Sequence, residues 1–560
     1  ALGDENGPQM AYGDGYLFVA DGPGGLVAID VSDANQPVIA GRLALPGNAV
    51  GVALANDRIF VVADGGGLFV AEWTPAHGLA SNGMLFAEAR GFDGRLQPAL
   101  AQPAEPALSP DCLVATTEAS GPGSVQDCLS GARTGTIVTF DPSVFPSAEP
   151  ATIELARTVV LASGATLDGS GAGVVLDGGG KVDVGIAMNG GSTVRGLTLT
   201  GFTEAAVFIE DSENVVADCV ISANGDQGIR LLGSHNRIVG NLIGLDPTGS
   251  ALWGAQKAGI NVLGPDNVIG GPDPNDRNVI SGSVIGLDVK TVAGNVIEGN
   301  YLGTDATGRV ELPWPGLAVF IEAGAARTRV AGNVIAGGVQ ILDPGSSYNT
   351  VVGNLVGVDA PGARALEPAG YIAVGEPFNR VGGTLPGEAN TVNGVIAAAS
   401  DVMVLGNRIG TGEHGEPLGH GWIDLSGTRV VIGGRSPSAG NVVYANAGGA
   451  ITVTNDANVI IGNSVRIDEL PDKPEARATD NGIAIRFAES NHIIANTITT
   501  RAGTGILLGA GAQATVARGN IIESNDIGVE ATGDASANLI TGNRFGDNTM
   551  MASDLGQANV

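Results

Sequence analysis

From residue 111 onward one short phrase recurs: a glycine, an aliphatic residue, any residue, then another aliphatic. It begins at Gly185, Gly228, Gly259, Gly286, Gly316, Gly338, Gly482, Gly505 and Gly528. The intervals 316 to 338, 482 to 505 and 505 to 528 are 22 or 23 residues. That length holds three strands of about five residues plus their turns, one coil of a three-stranded solenoid. Alternation places the aliphatic residues inside and the residue between them outside. No helical periodicity is present. The spacing therefore predicts an all-β parallel solenoid.

A second phrase, Asn-x-aliphatic-x-Gly-Asn, recurs at Asn236 to Asn241, Asn295 to Asn300, Asn349 to Asn354, Asn458 to Asn463 and Asn538 to Asn543. Asn tolerates left-handed turns, and stacked Asn side chains can bond along a ladder. A longer loop follows every second coil. It carries Gly244 to Gly249 with Asp246, Gly303 to Gly308 with Asp305, Gly357 to Gly362 with Asp359, and a degraded copy at Gly410 to Gly415.

The first segment repeats on another scale. Tyr16 to Gly22 recurs at Ile59 to Gly65, a period of 43 residues, and each copy runs into a second strand, Gly25 to Asp30 and Gly67 to Glu72. Such a period suits a propeller blade. Residues 9–73 resemble the LVIVD-type repeats of bacterial surface β-propellers, with fewer than the four blades that closure requires. Residues 111–548 resemble the right-handed parallel β-helix proteins typified by pectate lyases, polygalacturonases, mannuronan epimerases, phage tailspikes and bacterial surface adhesins. The expected organisation is propeller-like repeats over 1–75, a linker rich in Pro and Ala over 76–110, capping coils over 111–180, a β-helix over 181–548, and the start of a further coil over 549–560. Both ends read as cut or open, so the chain is expected to be a piece of something longer or to have lost a leader.

Composition agrees with tight turns between short strands. Glycine numbers 89, aromatics are 4% and charged residues 15%, while 43% hydrophobic content suffices for a core. The net charge of −30 repels phosphate backbones, which argues against nucleic acid as a partner. No run approaches the roughly 18 apolar residues of a membrane span.

Cys112 and Cys128 flank a Gly/Ser turn; a disulfide across it and two thiols that never meet are equal readings, and Cys219 reads as a small core residue. With five histidines and no zinc-type spacing, a His-built metal site is not expected. Asp246, Asp305 and Asp359 leave calcium open as a cofactor, but one carboxylate per loop suits an Asx-turn better.

The candidate chemistry lies on one outward face. One row reads Arg230, Asn261, Asp288, Ala318 and Gln340; the next reads Leu232, Leu263, Lys290, Phe320 and Leu342. Arg230, Asp288 and Lys290 are the candidate catalytic residues, and Asn261 a candidate ligand contact. A lyase needs a basic side chain beside a carboxylate-bearing substrate, and a glycosidase needs two carboxylates. In this reading Asp288 lacks a carboxylate neighbour in its own row. Trp253, Trp314 and Trp422, with Tyr371, stand near the start of strands and either stack on sugars or plug one turn. Two functions follow. One is an extracellular structural or adhesive surface protein, self-associating or binding other surface proteins through apolar outward rows into filaments or a layer. The other is a lyase or hydrolase of acidic polysaccharide, the activity that the β-helix resemblance implies.

Overall fold

The computed structural model describes residues 10–13, 16–20, 26–31, 38–43, 48–55, 58–64, 67–74, 78–86 and 111–560, apart from 314–315, 368, 413, 420, 446–448, 469–479, 502, 555–558 and 560. The chain divides into two compact units, 1–105 and 106–560.

The second unit is a right-handed parallel β-helix of three sheets. Each coil contributes one strand to each sheet in turn. The first sheet runs from Cys112–Val114 to Leu539–Thr541, the second from Ala151–Glu154 to Arg544–Gly546, and the third from Val159–Leu161 to Met550–Asp554. The inward aliphatics stack: Ile229, Ile260, Leu287, Val319, Val339 and Ile372 are successive register partners, and each is fully buried. Burying each such side chain is worth about 1.5–3 kcal/mol, so the column alone is a large share of the core.

The turn between the first and second sheets carries an amide ladder without a break from Asn241 to Asn543. In each step the backbone N–H and the side-chain Nδ2 of one Asn donate to Oδ1 of the next, as in Asn333 to Asn354 at 3.0 and 2.9 Å. The left-handed residue of this turn is not the Asn, as the sequence suggests, but its predecessor: Gly299, with φ of +70°, precedes Asn300. No described Asn has a positive φ. Asn is chosen for its paired donor and acceptor, and Gly for the backbone.

A helix the strand pattern does not announce, Val125–Ser130, covers the first coils. Ser124 Oγ caps it by accepting from the Asp127 N–H at 3.2 Å, and Val125, Cys128 and Leu129 join the core. The Cys112–Cys128 disulfide ties it to the first strand.

Among its described residues the first unit holds two four-stranded antiparallel sheets, Met10–Gly13 to Val38–Leu43 and Asn48–Ala55 to Gly78–Phe86. The second extends past residue 75 and makes two full four-strand sets, where the sequence repeat shows fewer than two. The missing strands carry no repeat phrase: Gly78–Phe86 forms by pairing with Gly67–Thr74. Phe18, Leu26, Ile59 and Val61 lie in one shared core.

Candidate functional site

The outward face of the third sheet is built from alternation. In strand Gln227–Leu231, Ile229 and Leu231 point in and Arg230 points out; strands Gln256–Val262 and Ser283–Lys290 place Asn261 and Asp288 the same way. Phe208, Arg230, Asn261, Asp288, Phe320 and Gln340 are successive register partners. The expected row is thus corrected at one member: Phe320 follows Asp288, and Ala318 is a fully buried core residue. The error comes from anchoring on Gly316. Ala318, not Gly316, stands in line with Gly286, because Leu287 pairs with Val319.

The correction changes the chemistry. The residue beside Lys290 is Glu322. Lys290 Nζ stands 2.9 Å from Asp288 Oδ2 and 2.8 Å from Glu322 Oε1. Asp288 therefore does have a carboxylate neighbour, reached through one ammonium. Burial pushes the Asp288 carboxyl above its ordinary range, further than the Lys290 hydrogen bond pulls it down, and the Glu322 charge adds to the rise. Burial works against the Lys290 ammonium, but Glu322 and Asp288 outweigh it and hold its pKa above the usual value. Leu232, Leu263 and Leu342 are half-buried on either side of the pair.

Around this triad, polar atoms are left without partners. In the outward row three buried atoms lack a hydrogen bond, Arg230 Nε, Asn261 Oδ1 and Asp288 Oδ1, on three adjacent strands; the unpartnered Gln256 amide lies at the other end of its strand, against Gly228 and the core Ile243. The Arg230 guanidinium lies 5.7 Å from the Phe208 ring centre. Gln340 Nε2 donates to Tyr371 Oη at 2.5 Å.

The aromatic file is not one row. Tyr371 and Trp422 open their strands and lie back over Gly338 and Gly394 of the preceding coils. Trp253 sits elsewhere: its N–H donates to Gly244 O, as Leu312 donates to Gly303 O and Leu366 to Gly357 O. Trp253 is thus equivalent to two leucines of the hairpin loops, not to Tyr371 or Trp422. Trp314 lies outside the described residues.

Asp246, Asp305 and Asp359 each close their own hairpin. Asp246 Oδ1 accepts from the Ser250 and Ala251 N–H groups, Asp305 Oδ1 from Arg309 and Val310, and Asp359 Oδ1 from Ala363 and Arg364. The hairpins stack, Ala306 N–H on Gly249 O and Ala360 N–H on Gly308 O, each at 2.8 Å.

Sequence reasoning missed Glu322 and Phe208. Glu322 was within reach of it: counting outward positions from Val319 and Ile321, instead of from a glycine, puts it beside Lys290.

Residues 184–356 match the family model for the right-handed β-helix region, and residues 388–559 match the model for the periplasmic copper-binding protein NosD. No curated protein matches the chain. Among solved structures it is similar to the A-module of a mannuronan C-5 epimerase of Azotobacter vinelandii, with 12% identity over 80% of this chain and 99% of that one and a TM-score of 0.25. It is similar to a pectate lyase, with 15% identity over 52% and 76% and a TM-score of 0.29. A tailspike protein of E. coli bacteriophage HK620 follows at 11% identity over 78% and 73%, TM-score 0.24. Among its described residues, the stretch matched by NosD gathers no cluster of His, Cys, Asp or Glu that would suit copper. It contains no Cys; of its described histidines, His414 lies in the loop after strand Arg408–Ile409 and His492 opens strand His492–Ile494, and no group of three or more His, Cys, Asp or Glu gathers among the described residues.

Proposed function

We propose that this protein is an adhesive, glycan-binding protein outside the cytoplasm, taking a neutral saccharide chain along the outer face of the third sheet from Phe208 to Tyr371. The observation that carries this reading is three buried, unpartnered polar atoms side by side in the outward row, Arg230 Nε, Asn261 Oδ1 and Asp288 Oδ1. A structural ion cluster is expected to satisfy its buried groups internally; sugar hydroxyls donate and accept at once and suit amide, guanidinium and carboxylate atoms together. Phe208 and Phe320 add apolar ring surface. At about 4.8 Å per coil the face is roughly 29 Å long, which suits a chain better than a single sugar.

The charge favours a neutral polymer over the acidic one expected from sequence. On this face Lys290 is already shared by two carboxylates, which takes its charge from an acidic ligand. The disulfide at Cys112 and Cys128 supports an oxidising compartment. Leu232, Leu263 and Leu342 belong in this reading to the binding face, not to a filament contact. The two N-terminal sheets are read as propeller blades of the kind their repeat resembles.

One observation favours a second reading, glycosidic cleavage: a carboxyl raised by burial, suited to act as an acid, beside a second carboxylate. One experiment separates the two. Neutral and acidic oligosaccharides are incubated with the full chain and with Arg230→Ala, Asp288→Asn and Glu322→Gln, reading both binding and new reducing ends. Neutral-chain binding that weakens in Arg230→Ala without cleavage supports the adhesive reading. Cleavage lost in both Asp288→Asn and Glu322→Gln replaces it, and no binding to any neutral chain ends it.

A further inference from the structure

Three loops of one design stand at the turn between the first and second sheets: 271–277, 383–389 and 434–440, each followed by a ladder Asn. The first two close on an internal ion pair. Asp276, two residues before Asn278, pairs with Arg237 of the preceding coil at 3.4 Å. Glu388, two before Asn390, pairs at 3.2 Å with Arg380, which opens the strand leading into the loop. Gly271 and Gly383 back directly onto those carboxylates.

The third loop has lost both partners. Ala439 takes the place of the acid, and its methyl is what Gly434 backs onto. Met403 and Val431 stand where the arginines would be. A new arginine, Arg435, is exposed on the loop instead. Beneath this loop runs a cleft of about 730 Å³, lined by Arg435, Ser436, Ile461, Ile494, Arg518 and Thr541 and floored by turn glycines. Neither Arg435 nor Arg518 has an ion pair among the described residues. Arg518 lies three coils beyond the 434–440 loop, roughly 14 Å at about 4.8 Å per coil. No acidic side chain lines the cleft.

We propose that this cleft binds an acidic glycan, with Arg435 and Arg518 meeting carboxylates on separated sugars. Guanidinium groups suit carboxylates through paired N–H donors. The spread of the two charges along the axis suits a chain with spaced acid groups rather than one small ion, and the apolar Ile461 and Ile494 suit the sugar faces between them. The site is independent of the third-sheet face and extends the function proposed above to a second ligand class.

The test titrates an oligosaccharide of alternating uronic acid and neutral sugar into the full chain by calorimetry, at low and raised salt. The double variant Arg435→Ala with Arg518→Ala is compared with the wild type and with Ala439→Glu, which restores the internal carboxylate. The expected result is salt-sensitive binding that weakens about tenfold or more in the double variant and falls in Ala439→Glu, while neutral-glycan binding on the third sheet is unchanged in both. No binding, equal affinity in wild type and double variant, or a free uronate monomer competing as well as the oligomer would overturn the proposal. Because neutral-glycan binding is read in the same samples, failure of that reading and failure of this one are told apart.

Discussion

Lys290 and Glu322 are register partners on adjacent coils, with Nζ and Oε1 2.8 Å apart. Through that contact one ammonium holds two carboxylates, Glu322 and the buried Asp288. Lys290→Met leaves both without their counter-charge. The expected loss is about 2 kcal/mol, below the 3–5 typical of a fully buried pair because a third of Lys290 is exposed. The loss should shrink on acidification, as Asp288, whose carboxyl burial holds above its ordinary range, takes up its proton. Urea unfolding at neutral and mildly acidic pH measures it; a loss independent of pH would contradict the charge argument.

Asp288 alone carries a second pH signature. Its carboxyl is raised in the folded chain, so the fold binds that proton more tightly than the unfolded chain does. Its contribution therefore favours folding below the ordinary carboxylate value and is lost as pH rises through the raised one. Asp288→Asn should remove this component and flatten the stability profile just above the usual carboxylate range. An unchanged profile would show that Asp288 titrates as an ordinary surface acid.

The second amide column, between the third and first sheets, breaks where Thr328 follows Asn295. Asn295 Nδ2 and Thr328 Oγ1 are both buried without partners, while the Thr328 N–H already donates to Asn349 Oδ1 at 2.8 Å. Thr328→Asn supplies the missing acceptor and should stabilise the β-helix by about 1 kcal/mol. In the unbroken column, Asn354→Ala removes the acceptor of the Asn333 N–H and Nδ2 and the donor to Val330 O, Val352 O and Asn390 Oδ1, and should cost about 3 kcal/mol. Denaturant midpoints decide both signs.

Burial pushes the Cys219 thiol up to about 12, and the side chain is 1% exposed. Alkylating reagents need the thiolate. Native protein should therefore resist labelling at neutral pH and react fully once unfolded. Labelling in the native state would mean that the coil around Cys219 opens.

The Cys112–Cys128 bridge closes a 16-residue separation at the capped end. Removing it in the Cys112→Ala, Cys128→Ala variant should cost about 3 kcal/mol by loop entropy. Hydrogen exchange should show the loss first at Val125–Ser130. Uniform loosening along the solenoid would argue against a local cap.

The repeat phrases carried the solenoid because a fixed period and a strict inside-outside alternation belong to each coil by itself. Ile229 and Ile260 are legible as core without any neighbour, and so are the Asn positions that became the ladder. Arg230, Asn261, Asp288 and Lys290 were legible as one outward patch for the same reason. What was not legible was anything set by how coils stack. The Gly316 anchor misplaced Ala318, since a glycine at a loop end need not share the register of a glycine in a strand. The Val125–Ser130 helix escaped because its hydrophobic face has meaning only against the first coils.

The sequence by itself determined the parallel β-helix, its inward columns and its polar face, since these follow from local period and side-chain chemistry. Only the tertiary structure decided that Glu322 joins Asp288 on one lysine and that Arg435 and Arg518 line one cleft. Those partners are 34 and 83 residues apart, and register between coils is fixed by backbone pairing across the whole stack.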